Sequence, residues 1–421
     1  MGVSYRGFRK YLLILLFITP TILSVSALSV YPIAYNVYAS FTNRNTFRPR
    51  ANCEGEAVQG EAPPAWQTWL TQRMEPTCWA TFAENRVVGR GQFYRLTESL
   101  GENYADMTGS LFSRESLTST GLLLVGVSPL LAVWYVRRRQ SKLLSPPRNG
   151  WLWLVALAVS YGLWQVLDVQ AALTRLQETG DFFIVLFRTI LYVAACIPLF
   201  FVVGLTLALI LNNEHIKGRG FWRAILIIPW AVQSYIAALV WQFFFRGEQG
   251  TINQFLEALG LFEQGPTWLG DPERPYLAFV AVVVINLWMT YPFFTVVILG
   301  ALQSISQDQY EAAEVDGATW WDKLTQITLP LLRPAVLPAV VLSSITTFQM
   351  FNTVWLVTQG GPIKGAGQPG FTEFVMLHAY RLFQDQNFGR MGAFAVIIFV
   401  MLFLATLFSL RLTRITKGAY E

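Results

Sequence analysis

Apolar residues fall in long uninterrupted blocks, with little of the short helical or alternating periodicity that marks a soluble core. Residues 11–38, 117–136, 151–167, 182–211, 221–245, 276–302, 335–358 and 388–410 form eight such runs. A run of about 20 residues crosses the roughly 30 Å hydrocarbon layer as a helix. The expected fold is therefore all-α, a polytopic integral membrane protein of about eight transmembrane helices. Pro198 is expected to interrupt the fourth run, and Pro229 lies within the fifth. Arg6, Arg9 and Lys10 precede the first run, and Val25-Ser26-Ala27 resembles a signal-peptidase site. That run is much longer than the 7–15 residues or so of a signal h-region, so an uncleaved first span is expected.

The segments between the runs set the topology. Thr42 to Glu115 is polar, with eight Arg and nine Asp or Glu, three tryptophans at 66, 69 and 79, and the turn signal Pro63-Pro64. It reads as a small extracytoplasmic insertion, either a docking surface or a spacer. After the second run come Arg137, Arg138, Arg139, Lys142 and Arg148 with no acid among them. Basic residues mark cytoplasmic loops, so this loop lies inside, with Trp134, Trp151 and Trp153 as interfacial anchors. A short polar loop around Glu178 then returns outside. Lys217 and Arg219 follow the fourth run, and Arg411, Arg414 and Lys417 follow the last, which places both termini in the cytoplasm.

Composition agrees with that assignment. The chain is 53% hydrophobic and only 14% charged, with a mean hydropathy of +0.41, whereas soluble domains carry about 25% charged residues. The net charge of +5 is accounted for by loops beside apolar runs, which argues against nucleic acid as a partner. Cys53 and Cys78 share the outer segment and have two readings, a bridge or two separate thiols. Cys196 sits in an apolar run as a small hydrophobe.

One polar island stands apart, from Gln303 to Pro334 between the sixth and seventh runs. Ser306 and Gln309 have capping-box spacing, and Gly317 reads as a helix stop. A second short helix is expected from Thr319, with Trp320, Leu324 and Ile327 on one side, ending at Pro330. The result is a helix–glycine–helix knob. It carries Asp308, Glu311, Glu314, Asp316 and Asp322 against Lys323 and Arg333. This acidity is a weak exception, because topology follows Lys and Arg and largely ignores acids.

Chemistry of the usual kinds is missing from the sequence. No Walker A pattern occurs, so the chain carries no ATPase of that type. The only histidines, His215 and His378, fall on opposite sides of the expected membrane and read as solvated loop residues, not as a metal or nucleophile site. No catalytic residue and no bound metal are expected. Paired intramembrane carboxylates suited to a proton relay are also lacking. Polar and aromatic residues do recur together in three runs. Trp230 and Ser234 are one turn apart on the fifth. Asn286, Thr290 and Phe293 follow i, i+4, i+7 on the sixth with Met289 beside them, and Phe348, Gln349 and Asn352 lie within one turn on the seventh. Rings beside hydrogen-bonding groups suit a sugar, whose C–H faces pack on aromatics and whose hydroxyls need partners. The same residues would also serve as interhelical hydrogen bonds and packing, and spacing alone weighs the two equally.

The run Glu311-Ala312-Ala313, then Asp316-Gly317-Ala318, then Ile327-Thr328-Leu329-Pro330 resembles the cytoplasmic coupling loop of ABC importer permeases. From about Arg188 to Gly418 the chain is similar to the carbohydrate class, and most closely to the larger maltose-type subunit. Ile228-Pro229-Trp230-Ala231-Val232, Asn286-Leu287-Trp288, Tyr291-Pro292 and Thr358-Gln359-Gly360-Gly361-Pro362 carry the likeness. The resemblance implies that Glu311, Ala312, Ala313, Asp316 and Gly317 dock into an ATPase subunit. It also implies that Trp230, Ser234, Asn286, Met289, Thr290, Phe293, Phe348 and Gln349 line the sugar site. Trp230 stands where the maltose-type subunit has Tyr, Thr290 where it has Gly, and Gln349 where it has Asn, so a small oligosaccharide of maltose, maltodextrin or trehalose type is implied without fixing which.

The implied partners are a second homologous permease subunit, a dimer of ATPase subunits holding ATP and Mg, an extracytoplasmic sugar-binding protein, and membrane lipid, in a bacterial or archaeal cytoplasmic membrane. This chain itself would hold no cofactor. The divisions expected are residues 1–41 as first span, 42–115 as insertion, 116–170 as an extra transmembrane hairpin, and 182–421 as the core permease domain with its coupling loop at 303–334. An ion-coupled secondary transporter and a membrane-embedded glycan enzyme are the rival classes. The first lacks its carboxylates and the second its catalytic cluster.

Overall fold

The structure is a computed structural model that describes residues 8–45, 48, 50–55, 62–76, 78, 93–94, 101–109, 114–140, 151–178, 181–213, 215–363, 365 and 368–417. Trp79 and most of the basic positions used for topology lie outside the described residues or their described side chains: Arg6, Arg9, Lys10, Arg137, Arg138, Arg139, Lys142, Arg148, Arg411, Arg414 and Lys417.

The helices, in chain order, are α1 (Phe8–Val25), α2 (Tyr31–Ser40), α3 (Ala65–Met74), α4 (Glu102–Thr108), α5 (Arg114–Gln140), α6 (Trp151–Val166), α7 (Val169–Glu178), α8 (Asp181–Asn212) and α9 (Arg219–Ala231). They continue with α10 (Ser234–Phe244), α11 (Thr251–Ala258), α12 (Tyr276–Leu302), α13 (Gln307–Val315), α14 (Trp320–Asp322), α15 (Leu329–Phe348), α16 (Asn352–Thr358), α17 (Val375–Gln384) and α18 (Phe388–Lys417). Among the described residues, six helical stretches are long and apolar enough to cross a membrane: Leu15–Ser40, Leu117–Val136, Asp181–Asn212, Tyr276–Leu302, Trp320–Phe348 and Phe388–Ser409. The bent pair α9 and α10 makes a seventh, and the shorter apolar helix α6 brings the total to the eight read from the sequence.

The chain divides into two compact units. One comprises Met1–Gly109 with Ala379–Met401. In it the polar segment that follows the first span is tied to the end of α2. Asn103 of α4 donates to the carbonyls of Ser40 and Thr42 at 2.8 and 2.9 Å, and Tyr38 bonds Thr71 of α3 at 3.0 Å. Glu75 accepts from Tyr35 at 2.8 Å and pairs with Arg44 at 3.2 Å. Cys53 and Cys78 are joined as a disulfide, closing a separation of 25 residues. On a loop-entropy account such a closure stabilises the segment by about 3 kcal/mol.

The other unit, Ser110–His378 with Leu402–Glu421, contains the central helices. Here α8 and α12 pack along their length. Gly204 permits this approach, since a Cβ there would sit 2.5 Å from the Cβ of Phe294. The fourth span runs through Pro198 without a break, correcting the expected interruption. A proline removes one backbone hydrogen bond, and in a membrane helix neighbouring helices compensate. The polar loop expected around Glu178 is instead helix α7. Its Val169 and Ala172 are buried, and the Val169 side chain meets Gly126 of α5.

His378 is a further correction. It is buried, with Nδ1 2.7 Å from Oε1 of Glu373, itself only 1% exposed. The segment before it is held against α8: Arg188 donates to the carbonyls of Pro369 and Gly370, and Thr189 accepts the N–H of Val375 at 3.0 Å. Those bonds draw the segment into the protein, so its polar residues are satisfied internally. His215 is exposed, as expected.

Candidate functional site

The knob is built by its capping chemistry. α13 begins after Ser306, whose side chain makes no capping bond, so the box expected with Gln309 does not form. Its far end is closed as expected. Gly317 has φ +77°, and the N–H groups of Gly317 and Ala318 reach back to the carbonyls of Glu314 and Ala313, both at 2.9 Å. The capping box falls one helix later, where Thr319 accepts from the N–H of Asp322 and Asp322 from the N–H of Thr319.

The second helix does not end at Pro330. It passes from α14 through a π-helical turn, Lys323–Thr328, into α15. Pro330 follows directly on the π turn, where the helical bonding register is already shifted, and the Thr328 hydroxyl donates to the Lys323 carbonyl at 3.2 Å. Two contacts fasten the knob's halves: Tyr310 Oη to Thr328 Oγ1 at 3.0 Å, and Lys323 Nζ to Glu314 at 2.5 Å. Glu311, Ala312, Asp316 and Gly317 are exposed and Ala313 is half-buried. Glu311 makes no ion pair or side-chain hydrogen bond among the described residues. Beside these polar positions Val315 is 89% exposed, and Trp320 and Trp321 are also open. Apolar groups set on a polar knob are the signature of a surface that meets a partner.

The aromatic and polar residues of the spans are arranged differently from the three continuous stripes expected. The fifth span breaks at Val232–Gln233, both extended, and its halves α9 and α10 meet at 92°. Trp230 therefore ends one helix and Ser234 begins the next, so they do not share a stripe. The seventh span breaks at Gln349–Phe351, between α15 and α16. Phe348 closes α15, Gln349 lies in the break, and Asn352 opens α16. Both breaks adjoin the same neighbours, since α10 packs on α16 and each contacts α12.

On α12 the expected stripe survives, but its members face different ways. Asn286 is 1% exposed and donates to Sγ of Cys196 on α8 at 3.7 Å, while its Oδ1 accepts from Thr290 at 3.2 Å. Met289 packs with the core around Ala238, Ala281, Ile285 and Val357. Phe348 is buried. Trp230 is 57% exposed, and its ring lies 6.0 Å from that of half-buried Phe293. Ser234, Gln349 and Asn352 are exposed. The structure thus assembles an aromatic pair open at Trp230, exposed polar groups at two helix breaks, and a separate polar ladder of buried Cys196 and Asn286 with half-buried Thr290.

The breaks are what the sequence reading missed. Pro229 in the last turn of α9 and the β-branched run Ile345-Thr346-Thr347 at the end of α15 were their signals. Thr346 and Ser344 each turn a hydroxyl back onto a carbonyl of their own helix, a bonding pattern that loosens and bends helices.

The family model described as the inner membrane component of binding-protein-dependent transport systems matches residues 179–418. The chain belongs to this family. It is a permease of the ABC importer class, a transport subunit and not an enzyme. The trehalose/maltose transport system permease protein MalF of Thermococcus litoralis is 35% identical over 243 residues, 58% of this chain and 78% of that one. A probable ABC transporter permease protein of Brucella suis is 34% identical over 244 residues, covering 58% and 81%. The maltose/maltodextrin permease MalF of Vibrio parahaemolyticus is 33% identical over 235 residues, 54% of this permease and 44% of that longer chain. Among solved structures, a bacterial alginate ABC transporter in complex with a pentasaccharide-bound periplasmic protein is 24% identical, covering 64% of this permease and 96% of that chain, with a TM-score of 0.48. The insertion at 42–115 and the hairpin at 116–170 lie outside the family match.

Proposed function

We propose that this permease carries a small oligosaccharide of the maltose, maltodextrin or trehalose kind into the cell, driven by ATP hydrolysed on a separate subunit. The observation that carries the reading is the open pair of Trp230 and Phe293, with exposed Ser234, Gln349 and Asn352 at two breaks in membrane helices. Irregular backbone at membrane depth is tolerated where it lines a cavity or is covered by protein, and broken helices commonly frame transporter binding sites. The ring faces take the sugar's C–H surfaces, and the amide and hydroxyl groups its hydroxyls. The resemblance to trehalose/maltose permeases supports the same class.

The permease pairs with a second homologous subunit, its knob enters a groove on an ATPase subunit holding ATP and Mg, and a sugar-binding protein delivers the solute outside. Both termini and the knob are cytoplasmic. Glu311 anchors the knob, and the exposed small residues Ala312 and Gly317 let it enter. Closure of the ATPase pair shifts the central helices between inward-open and outward-open states. The insertion at 42–115 presents its surface outside and the hairpin at 116–170 supports the core from the lipid side. A panel of labelled oligosaccharides offered to the reconstituted complex tests the substrate class. Saturable uptake of one or a few glucose-based oligosaccharides is expected, and uptake confined to amino acids or inorganic ions would refute it.

A further inference from the structure

A cavity of about 270 Å³ lies where α8, α9 and α12 converge toward the knob. Leu226, Ile227, Pro292, Val296 and Leu299 make its apolar floor, and its polar members are Arg223, Gln303 and Thr295, whose hydroxyl is already bonded to the Tyr291 carbonyl. The lining runs along α12 from Pro292 to Gln303, about 16 Å at 1.5 Å per residue. It therefore grades from an apolar depth near mid-helix to a polar mouth at the helix end. Arg223 is incompletely used. Its Nη2 donates to the carbonyl of Leu211 at a long 3.4 Å, and its buried Nε has no hydrogen-bond partner among the described residues. No carboxylate lines the cavity. A buried guanidinium N–H left without a partner costs free energy that an anionic acceptor recovers.

A sugar does not fit this place, because the floor offers almost no hydrogen-bonding groups. An occupant with an anionic head and an apolar tail matches both ends. We propose that the cavity seats an anionic phospholipid of the leaflet on the knob's side, its phosphate on Arg223 and part of an acyl chain along Ile227 and Val296. Basic pockets between membrane helices on the cytoplasmic side bind anionic headgroups on the same principle. The choice of leaflet rests on the cytoplasmic placement of the knob proposed above. The binding itself does not, so its test is independent of transport.

The full chain, purified from membranes with its associated subunits, is exchanged into nanodiscs of phosphatidylglycerol and phosphatidylcholine, and retained lipid is measured by native mass spectrometry. Both lipids carry the phosphate, and only phosphatidylcholine adds a cation that Arg223 repels, so the wild type is expected to keep phosphatidylglycerol about tenfold over phosphatidylcholine. Arg223→Met is expected to abolish that preference and Arg223→Lys to keep most of it. Val296→Trp fills the floor while leaving the arginine in place, and it is expected to remove the retained lipid altogether; it carries the test if Arg223→Met is not recovered from membranes. An unchanged preference in Arg223→Met, undiminished retention in Val296→Trp, or displacement of the lipid by inorganic phosphate alone would overturn the proposal.

Discussion

The knob and the aromatic pair are both assigned to contacts with other molecules, yet they are built in opposite ways. The knob fastens itself with a few bonds between its own halves, Tyr310 to Thr328 and Lys323 to Glu314, and leaves Glu311, Val315, Trp320 and Trp321 facing outward. The stripe on α12 divides its members: Asn286 is turned inward and bonded, while Phe293 meets Trp230 in the open. In the first region a motif read from the sequence is also a surface. In the second, one polar residue that looks like a ligand contact, Asn286, bonds to a neighbouring helix instead.

Three substitutions sharpen this contrast. Glu311→Ala removes the proposed anchor of the knob. Losing one partner of a buried charged pair at an interface costs about 2–5 kcal/mol, so uptake and coupled ATP hydrolysis are expected to fall by about thirtyfold or more. The chain itself should remain in the membrane at normal abundance, as immunoblotting of membrane fractions would show. Trp230→Ala is expected to raise the half-saturating sugar concentration by about two- to tenfold, the worth of one aromatic contact. Thermal stability should stay near wild type, because the ring is largely exposed. Asn286→Ala is expected to do the reverse. It takes one partner from Cys196 and one from Thr290 and lowers stability by about 0.6–1.7 kcal/mol, with the smaller change in half-saturating concentration of the two. A thermal unfolding series beside uptake curves separates the two variants; equal stability loss in both would erase the distinction between open pair and buried ladder.

The fold was legible where the physics is local and strong. Apolar runs of membrane length are decided by hydrocarbon burial, so all eight apolar helices could be read, and Gly317 could be read as a stop because a left-handed residue is needed there. Proline was the poorest guide. Pro198 and Pro330 read as interruptions, yet the helices pass through both, one packed against α12 and the other eased by a π turn. The real breaks, at Val232–Gln233 and Gln349–Phe351, had local signals in Pro229 and in Ile345-Thr346-Thr347, but whether such a signal breaks a helix depends on how α9, α10, α15 and α16 pack against α12. The same holds for His378: only its neighbours in space, Glu373 foremost, make it a buried residue.

The account's central claim is that the permease draws its energy through the knob from ATP hydrolysed elsewhere. Uptake of a labelled glucose-based oligosaccharide into proteoliposomes bearing the purified complex tests it most directly. Vesicles supplied with ATP and Mg on the knob's side should accumulate the sugar, and vesicles given only a proton or sodium gradient should not; accumulation driven by the gradient alone would contradict the account.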